Sequence, residues 1–228
     1  MATPSDHVRA RDPRPKPLAI AVIATAMLGG SCTLQSMVVG QASAPTQAQI
    51  EQTLEPLAAG RSPDERARLL GVVEEFARQK VSLAAQLQPF HLGFGVLLFA
   101  SYAFAFLFGL RALRFAREAP AQLSLASLFV IIARAAVAAV DVAQAQKLRP
   151  MMVAFAKVAQ VPPGGALSPA EAAQVVDAAA IAIGWSAVAL ELGRAIVVCA
   201  LFTVAWRYFQ RSNVIAFFER RSPAGPLD

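Results

Sequence analysis

Apolar residues concentrate in four blocks that polar segments separate, at residues 18–40, 90–110, 123–143 and 178–206. Each block reaches the roughly 20 residues that a helix needs to cross a bilayer. The pattern predicts an all-α integral membrane protein with four transmembrane helices. Composition agrees: of 228 residues 56% are hydrophobic and 16% are charged, against about 45–50% and about 25% in soluble domains. A soluble globular enzyme is therefore disfavoured.

Two longer polar segments connect the blocks in pairs, and both are rich in helix formers. We expect outer helices within 46–88 and within 150–177, the latter including a short helix at Met151–Val161. Ser62-Pro63-Asp64-Glu65 has the form of a capping box, with Ser as N-cap, Pro at the first helical position and Glu at the third. Ser168-Pro169-Ala170-Glu171 repeats this form.

These two starts predict helices at Pro63–Gln88 and at Pro169–Arg207. Pro89 follows the first helix directly and should break or kink it. Apolar residues at helical spacing indicate one face on each helix that packs against the other. The predicted contact residues are Leu70, Val73, Phe76, Val175 and Val176.

The order of segments divides the chain into two similar halves, 18–120 and 121–211. Residues 1–17 form a basic cytoplasmic tail that we expect to be disordered, and 212–228 form an interfacial tail. Both halves run in the same direction, so a duplication would be a parallel 2+2 repeat. Capping boxes are common, however, and identity between the halves is low, so chance similarity stays an equal alternative.

The first block has a second interpretation as a secretory signal. A basic segment precedes its apolar core, and the small residues Ala42-Ser43-Ala44 follow it as in a cleavage site. Pro45 lies directly after this triplet and disfavours cleavage. We expect an uncleaved membrane anchor, with cleavage as the alternative.

Basic residues set the predicted orientation. The two tails and the short central connection carry 11 Lys and Arg close to the membrane ends, whereas the two longer connections carry eight over far more residues. The positive-inside rule places both termini in the cytoplasm and makes the two longer connections extracytoplasmic, as in a bacterial inner-membrane protein. This distribution also accounts for the isoelectric point near 10.0, so no nucleic-acid partner is implied.

Four ionisable side chains lie within the apolar blocks: Arg134, Asp141, Glu191 and Arg194. Because a charge at the bilayer centre is costly, such residues are candidates for function or for pairing. Arg134 and Glu191 have comparable depth, and we expect Arg134 to face the bundle interior and contact Glu191. Arg194 shares a helix face with Glu191 and completes a charge cluster. Three interpretations of this cluster are open: an ion pair that fixes the register of two helices, a relay for protons or ions, and a docking point for another subunit.

Small residues mark predicted helix-packing positions. Gly29 lies in a stripe of small residues spaced four apart in the first block, and Ser101, Ala105 and Gly109 form a stripe in the second. Such stripes let helix backbones approach closely in lipid. Cys32 and Cys199 are interpreted as small buried apolar residues.

No spacing typical of a catalytic site, a nucleotide loop or a zinc site occurs, so neither a cofactor nor a metal is expected. His91 is interpreted as an interfacial polar residue. The leading hypothesis is a non-enzymatic assembly, scaffold or regulatory subunit that contacts the bilayer and other membrane helices in a homo- or hetero-oligomer. The alternative is a small oligomeric transporter or channel that uses the Arg134 and Glu191 charges.

Overall fold

The protein is described by a computed structural model that covers residues 15–39, 61–159 and 169–222, together with the single positions 49, 52 and 55. Within these residues the chain is helical and has no strand. The helices in chain order are α1 (Pro15–Val39), α2 (Pro63–Leu113), α3 (Ala119–Ala159), α4 (Pro169–Phe209) and α5 (Ser212–Arg221). Of the predicted outer-helix segments, most of 46–60 and all of 160–168, including the Ser168 cap, lie outside the described residues.

Four of these helices are long and apolar enough to cross a membrane: α1, α2, α3 and most of α4. At about 1.5 Å per residue, the 51 residues of α2 extend roughly 75 Å. The 41 residues of α3 and of α4 each extend roughly 60 Å. A hydrocarbon core of about 30 Å covers only half of such a helix. The chain thus has the properties of a multi-pass membrane protein whose three longest helices project beyond the bilayer.

Two prolines lie inside helices that do not break there. Pro89 lies within α2 and Pro150 within α3, so the predicted Met151–Val161 helix is the continuation of the third span. An internal proline removes one backbone hydrogen bond and costs about 3 kcal/mol. The carbonyls that lose their donor belong to Ala85 and Gln146, which are both exposed.

The described residues form two compact units, and α2, α3 and α4 each run from one unit into the other. Unit 1 contains residues 15–35, 96–134 and 197–222. Its largest fully buried side chains include Phe202, Phe209 and Phe218. The Phe202 ring lies 6.1 Å from the Tyr102 ring, and the Cys199 thiol is 3.9 Å from the carbonyl oxygen of Ile131. The parts of α2, α3 and α4 that belong to unit 1 are therefore neighbours.

Cys32 is exposed whereas Cys199 is partly buried. The expectation of burial is wrong for Cys32, which lies on a face of α1 that no other described helix covers. Periodicity locates a span but does not determine which of its faces the other helices cover.

Unit 2 contains the described residues of 36–95 and 135–196. Leu69 is buried in a cluster that joins α2 to the end of α3. Its neighbours are Leu70, Val73, Ala77, Phe155 and Val158. The Arg61 guanidinium donates hydrogen bonds of 2.5 Å to the carbonyls of Val158 and Ala159. The end of α3 therefore supplies the main apolar partner of the outer part of α2.

The Leu69 cluster contains neither Val175 nor Val176, the contacts predicted on α4, and Val175 is 50% exposed. The first turns of α4 instead contact α3: Asp177 pairs with Lys157 at 2.9 Å. Farther along α4, a Cβ at Gly184 would lie 2.8 Å from Val153. The missing side chain allows this close approach. The neighbouring Trp185 stacks under the Arg149 guanidinium, 4.2 Å from the ring centroid.

The capping box at the start of α2 is confirmed in atomic detail. The Ser62 backbone N–H donates to Glu65 Oε2 at 2.9 Å, and the Glu65 N–H donates to Ser62 Oγ at 3.3 Å. The hydrogen bonds from Ser62 lower the pKa of the Glu65 carboxyl below its ordinary value. A lowered pKa stabilises the folded state above the ordinary glutamate pKa. This contribution is lost as the pH falls through the lowered value.

Glu65→Gln should therefore lower the unfolding temperature of the chain in detergent micelles near pH 7. The difference from the wild type should disappear in acid, where the wild-type carboxyl is protonated as well. Asp64→Asn is the matched control, because it removes a charge from the same turn without removing these hydrogen bonds. An equal decrease of the unfolding temperature in both variants would show that the loss of charge, and not of the capping hydrogen bonds, is responsible.

Candidate functional site

Arg134 is the one Lys, Arg, Asp or Glu among the described residues that is buried, with 5% of its surface exposed. It lies on α3 within unit 1. If the hydrocarbon begins near Leu123, the centre of a span of about 20 residues falls close to this position. The donors of an arginine at that depth need acceptors from protein, because lipid offers none.

Glu191 and Arg194 lie on α4 within unit 2. Glu191 is partly buried, whereas Arg194 is exposed. Counting about 20 residues back from Arg207, where the apolar block ends, puts the centre of this span within about three residues of Arg194. Within the described part of the chain, Arg194 makes no hydrogen bond and no ion pair. A Cβ built on the adjacent Gly193 meets nothing within 4 Å, so this surface of α4 is open.

Arg194 is too deep to reach the headgroup region on its own. It lies 13 residues before Arg207, an axial distance of roughly 20 Å. An arginine side chain extends by less than half of this, so snorkelling does not bring the guanidinium to water. Leu190 and Val197, one turn before and one turn after Arg194 on the same helix face, are apolar and each 70% exposed. The face therefore carries one exposed cation between apolar side chains, with the partly buried Glu191 beside it.

Asp141 lies beside His91 in unit 2. The His91 Nδ1 atom is 3.7 Å from Asp141 Oδ1, and the two side chains are 34% and 23% exposed. His91 Nε2 donates to Gln144 Oε1 at 3.1 Å. Both nitrogens of the imidazole thus face oxygen atoms of α3. This arrangement holds α2 and α3 together at the predicted outer ends of their spans.

Two of the four predicted packing residues, Gly29 and Gly109, lie at close helix contacts within unit 1. A Cβ on Gly29 would lie 2.6 Å from the Tyr102 ring, and one on Gly109 would lie 2.6 Å from Cγ1 of Ile23. Ser101 is buried, and its hydroxyl donates a hydrogen bond of 2.7 Å to the Leu97 carbonyl in the same helix. Ala105 is fully buried. Along this face α1 and α2 are in contact.

The Gln144 side chain was not among the candidate residues. His91 and Asp141 each lie near the outer end of an apolar block, which is a sequence signal that they have similar depth. The identity of their neighbours depends on how α2 and α3 are rotated about their axes, and this rotation has no signature in either segment alone. No group of three or more His, Cys, Asp or Glu side chains with metal-binding geometry occurs in the described residues.

Comparisons with protein-family models, with curated proteins and with solved structures find no match for this chain. The functional argument therefore depends on the geometry of its own residues.

Gly109→Ala should destabilise the protein by about 1–3 kcal/mol, because the added methyl group has to displace the branched carbon of Ile23. Gly93→Ala is the matched control in the same helix, since its Cβ meets nothing within 4 Å. It should be neutral or stabilising by up to about 1 kcal/mol from helix propensity. Titration of helix content with sodium dodecyl sulfate in mixed micelles measures both. Equal effects would show that α1 does not pack at Gly109.

Proposed function

We propose that this chain is a non-enzymatic polytopic membrane protein that acts through helix–helix contacts as an assembly, scaffold or regulatory subunit. The observation that carries this proposal is the exposed Arg194 in the middle of the α4 span. A charged side chain at the bilayer centre costs roughly 2.5–3.5 kcal/mol on insertion scales and is usually paired. Since Arg194 has no partner among the described residues, a partner of opposite charge from another molecule accounts for its presence.

A different membrane protein fits this role better than a second copy. In a two-fold symmetric contact across this face of α4, each Arg194 would approach the other, and like charges repel. The acids at span depth in this chain, Asp141 and Glu191, each already have an interaction. The partner is therefore a transmembrane helix that carries an Asp or Glu near its centre.

Arg194→Leu should abolish co-purification of this partner in mild detergent, whereas Arg194→Lys should retain part of it. Removal of the charge should also favour insertion of α4 by about 2.5–3.5 kcal/mol, so loss of the complex would not reflect loss of folding. Arg78→Leu, which changes an exposed arginine on the outer part of α2, is the control.

The captured protein supports the proposal only if an acidic residue in one of its apolar spans is needed for the complex. Exchange of the two charges, with Arg194→Glu here and the acid changed to Arg in the partner, should restore binding. A complex that tolerates Arg194→Leu, or a partner without such an acid, contradicts the proposal.

The alternative function is a small oligomeric transporter or channel that uses Arg134 and Glu191. The burial of Arg134 favours it, because buried intramembrane charges commonly line ion pathways. Contact between Arg134 and Glu191 remains our prediction. If the two residues form a structural pair, either single change to Leu should cost about 3–5 kcal/mol, and the double change should cost less than the worse single change.

Unfolding of the two single variants and the double variant in micelles measures this coupling. Arg134→Leu combined with Arg78→Leu is the control pair and should be additive. Additivity of Arg134→Leu with Glu191→Leu would refute the pair. A stable double variant that loses ion flux in proteoliposomes would instead support transport.

We further propose that both termini are cytoplasmic in a bacterial inner membrane and that the two longer connections are extracytoplasmic, arranged as a parallel 2+2 repeat. The distribution of Lys and Arg supports the orientation. After Cys32 and Cys199 are replaced, single cysteines at Arg114 and Ser222 should be labelled only from the cytoplasmic side. Cysteines at Glu65 and Gly164 should be labelled from the opposite side. Labelling of both pairs from the same side would refute this topology.

A further inference from the structure

Exposed basic side chains concentrate at one part of unit 1, which we name the basic patch. It comprises the start of α1, the loop between α2 and α3, the end of α4 and the whole of α5. Its members, all exposed, are Lys16, Arg111, Arg114, Arg117, Arg207, Arg211, Arg220 and Arg221. Among the described residues of these four segments, the acids are Glu118 and Glu219, against eight cations. The patch therefore has a strong positive potential.

The loop residue Phe115 organises the patch, and its backbone is strained. Phe115 has a φ of 58°, a left-handed conformation that bulky residues avoid. The Phe115 N–H donates to the Ala112 carbonyl and the Ala116 N–H to the Arg111 carbonyl, both at 3.1 Å. This is the Schellman ending of a helix, in which glycine normally occupies the position of Phe115. A bulky aromatic side chain thus occupies a backbone position at which glycine is favoured.

The Phe115 ring holds two cations from opposite ends of the chain. It packs against Phe217 and Phe218 of α5 at centroid distances of 5.9 and 5.8 Å. Lys16 Nζ lies 5.4 Å from its centroid, and the Arg221 guanidinium lies 5.7 Å from it. Cation–π attraction therefore holds two cations beside one ring, where each is available to an anion.

Helix α5 is amphipathic, but its apolar side is already occupied. Val214, Phe217 and Phe218 are buried within the protein. The helix thus presents its basic side outward. The same burial removes the phenylalanine rings from contact with any external base, which disfavours single-stranded nucleic acid as the ligand.

The patch lies where lipid headgroups would be. Arg111 and Arg207 directly follow the second and fourth apolar blocks, and the Arg207 guanidinium stacks over the Trp206 ring at 5.0 Å. Aromatic and basic residues in this position belong to the membrane–water interface. We propose that the basic patch binds the phosphate groups of anionic phospholipids, with Lys16 and Arg221 around Phe115 as its most specific part.

The two tryptophans of the chain provide a test, because Trp206 lies at the patch whereas Trp185 lies in unit 2. In the full-length Trp185→Phe variant, only Trp206 fluoresces. This protein is reconstituted into phosphatidylcholine vesicles that contain increasing fractions of brominated phosphatidylglycerol or, separately, brominated phosphatidylcholine. Bromine quenches the fluorescence of Trp206 when the lipid occupies the adjacent site. Half-maximal quenching should need about threefold less phosphatidylglycerol than phosphatidylcholine.

Lys16→Gln combined with Arg221→Gln should reduce this preference towards unity. Arg78→Gln combined with Lys147→Gln is the control, because it removes the same total charge from unit 2 and should leave the preference unchanged. Circular dichroism of each protein verifies that it has folded. Phe115→Leu, which retains bulk but removes the aromatic face, should give an intermediate preference.

Equal quenching by both lipids overturns the proposal and would leave an acidic segment of another protein as the ligand of the patch. A preference that survives the change of Lys16 and Arg221 overturns the role of the Phe115 cluster. An equal loss in the unit 2 control shows that net charge alone is responsible and overturns it as well.

Discussion

A hydrocarbon environment supplies no hydrogen-bond donors or acceptors, and this constraint determines most features of the chain. Each backbone amide must be satisfied within its own segment, which is why the apolar blocks are helical. The same constraint makes each intramembrane charge informative. Arg134 meets it by burial inside the protein. Arg194 is exposed in the middle of its predicted span and has no partner among the described residues, which is why we propose one from another protein.

The sequence predicts the spans and the start of α2 because their causes are local. Hydrophobic length determines a span, and four adjacent residues form the capping box at Ser62. The behaviour at Pro89 and Pro150 was not predictable in the same way. Whether a proline ends a helix depends on whether neighbouring groups satisfy the carbonyl that loses its donor, and these neighbours can be distant in the sequence.

The candidate site also contains features that local sequence predicts and features that depend on distant neighbours. Composition and depth alone identify the four intramembrane ionisable residues. The proximity of His91 to Asp141 and Gln144 depends on the rotation of α2 relative to α3, and the burial of Leu69 against Phe155 depends on where α3 ends. For this reason the outer part of α2 was predicted to be amphipathic, but its neighbours on α3 were not predicted. The left-handed Phe115 has no local signal, since glycine is the residue that such a position normally indicates.

The central claim is that the Arg194 face of α4 contacts another protein within the bilayer. The most direct test places a photoreactive amino acid at Val197, which is exposed on the turn after Arg194, and illuminates native membranes. A control variant of the same chain carries the probe at Leu107 instead, an exposed position of α2. The account predicts a discrete crosslinked protein from Val197 that disappears in the Arg194→Leu background and is absent from Leu107. Crosslinks from Val197 to lipid alone, or the same product from both positions, would contradict it.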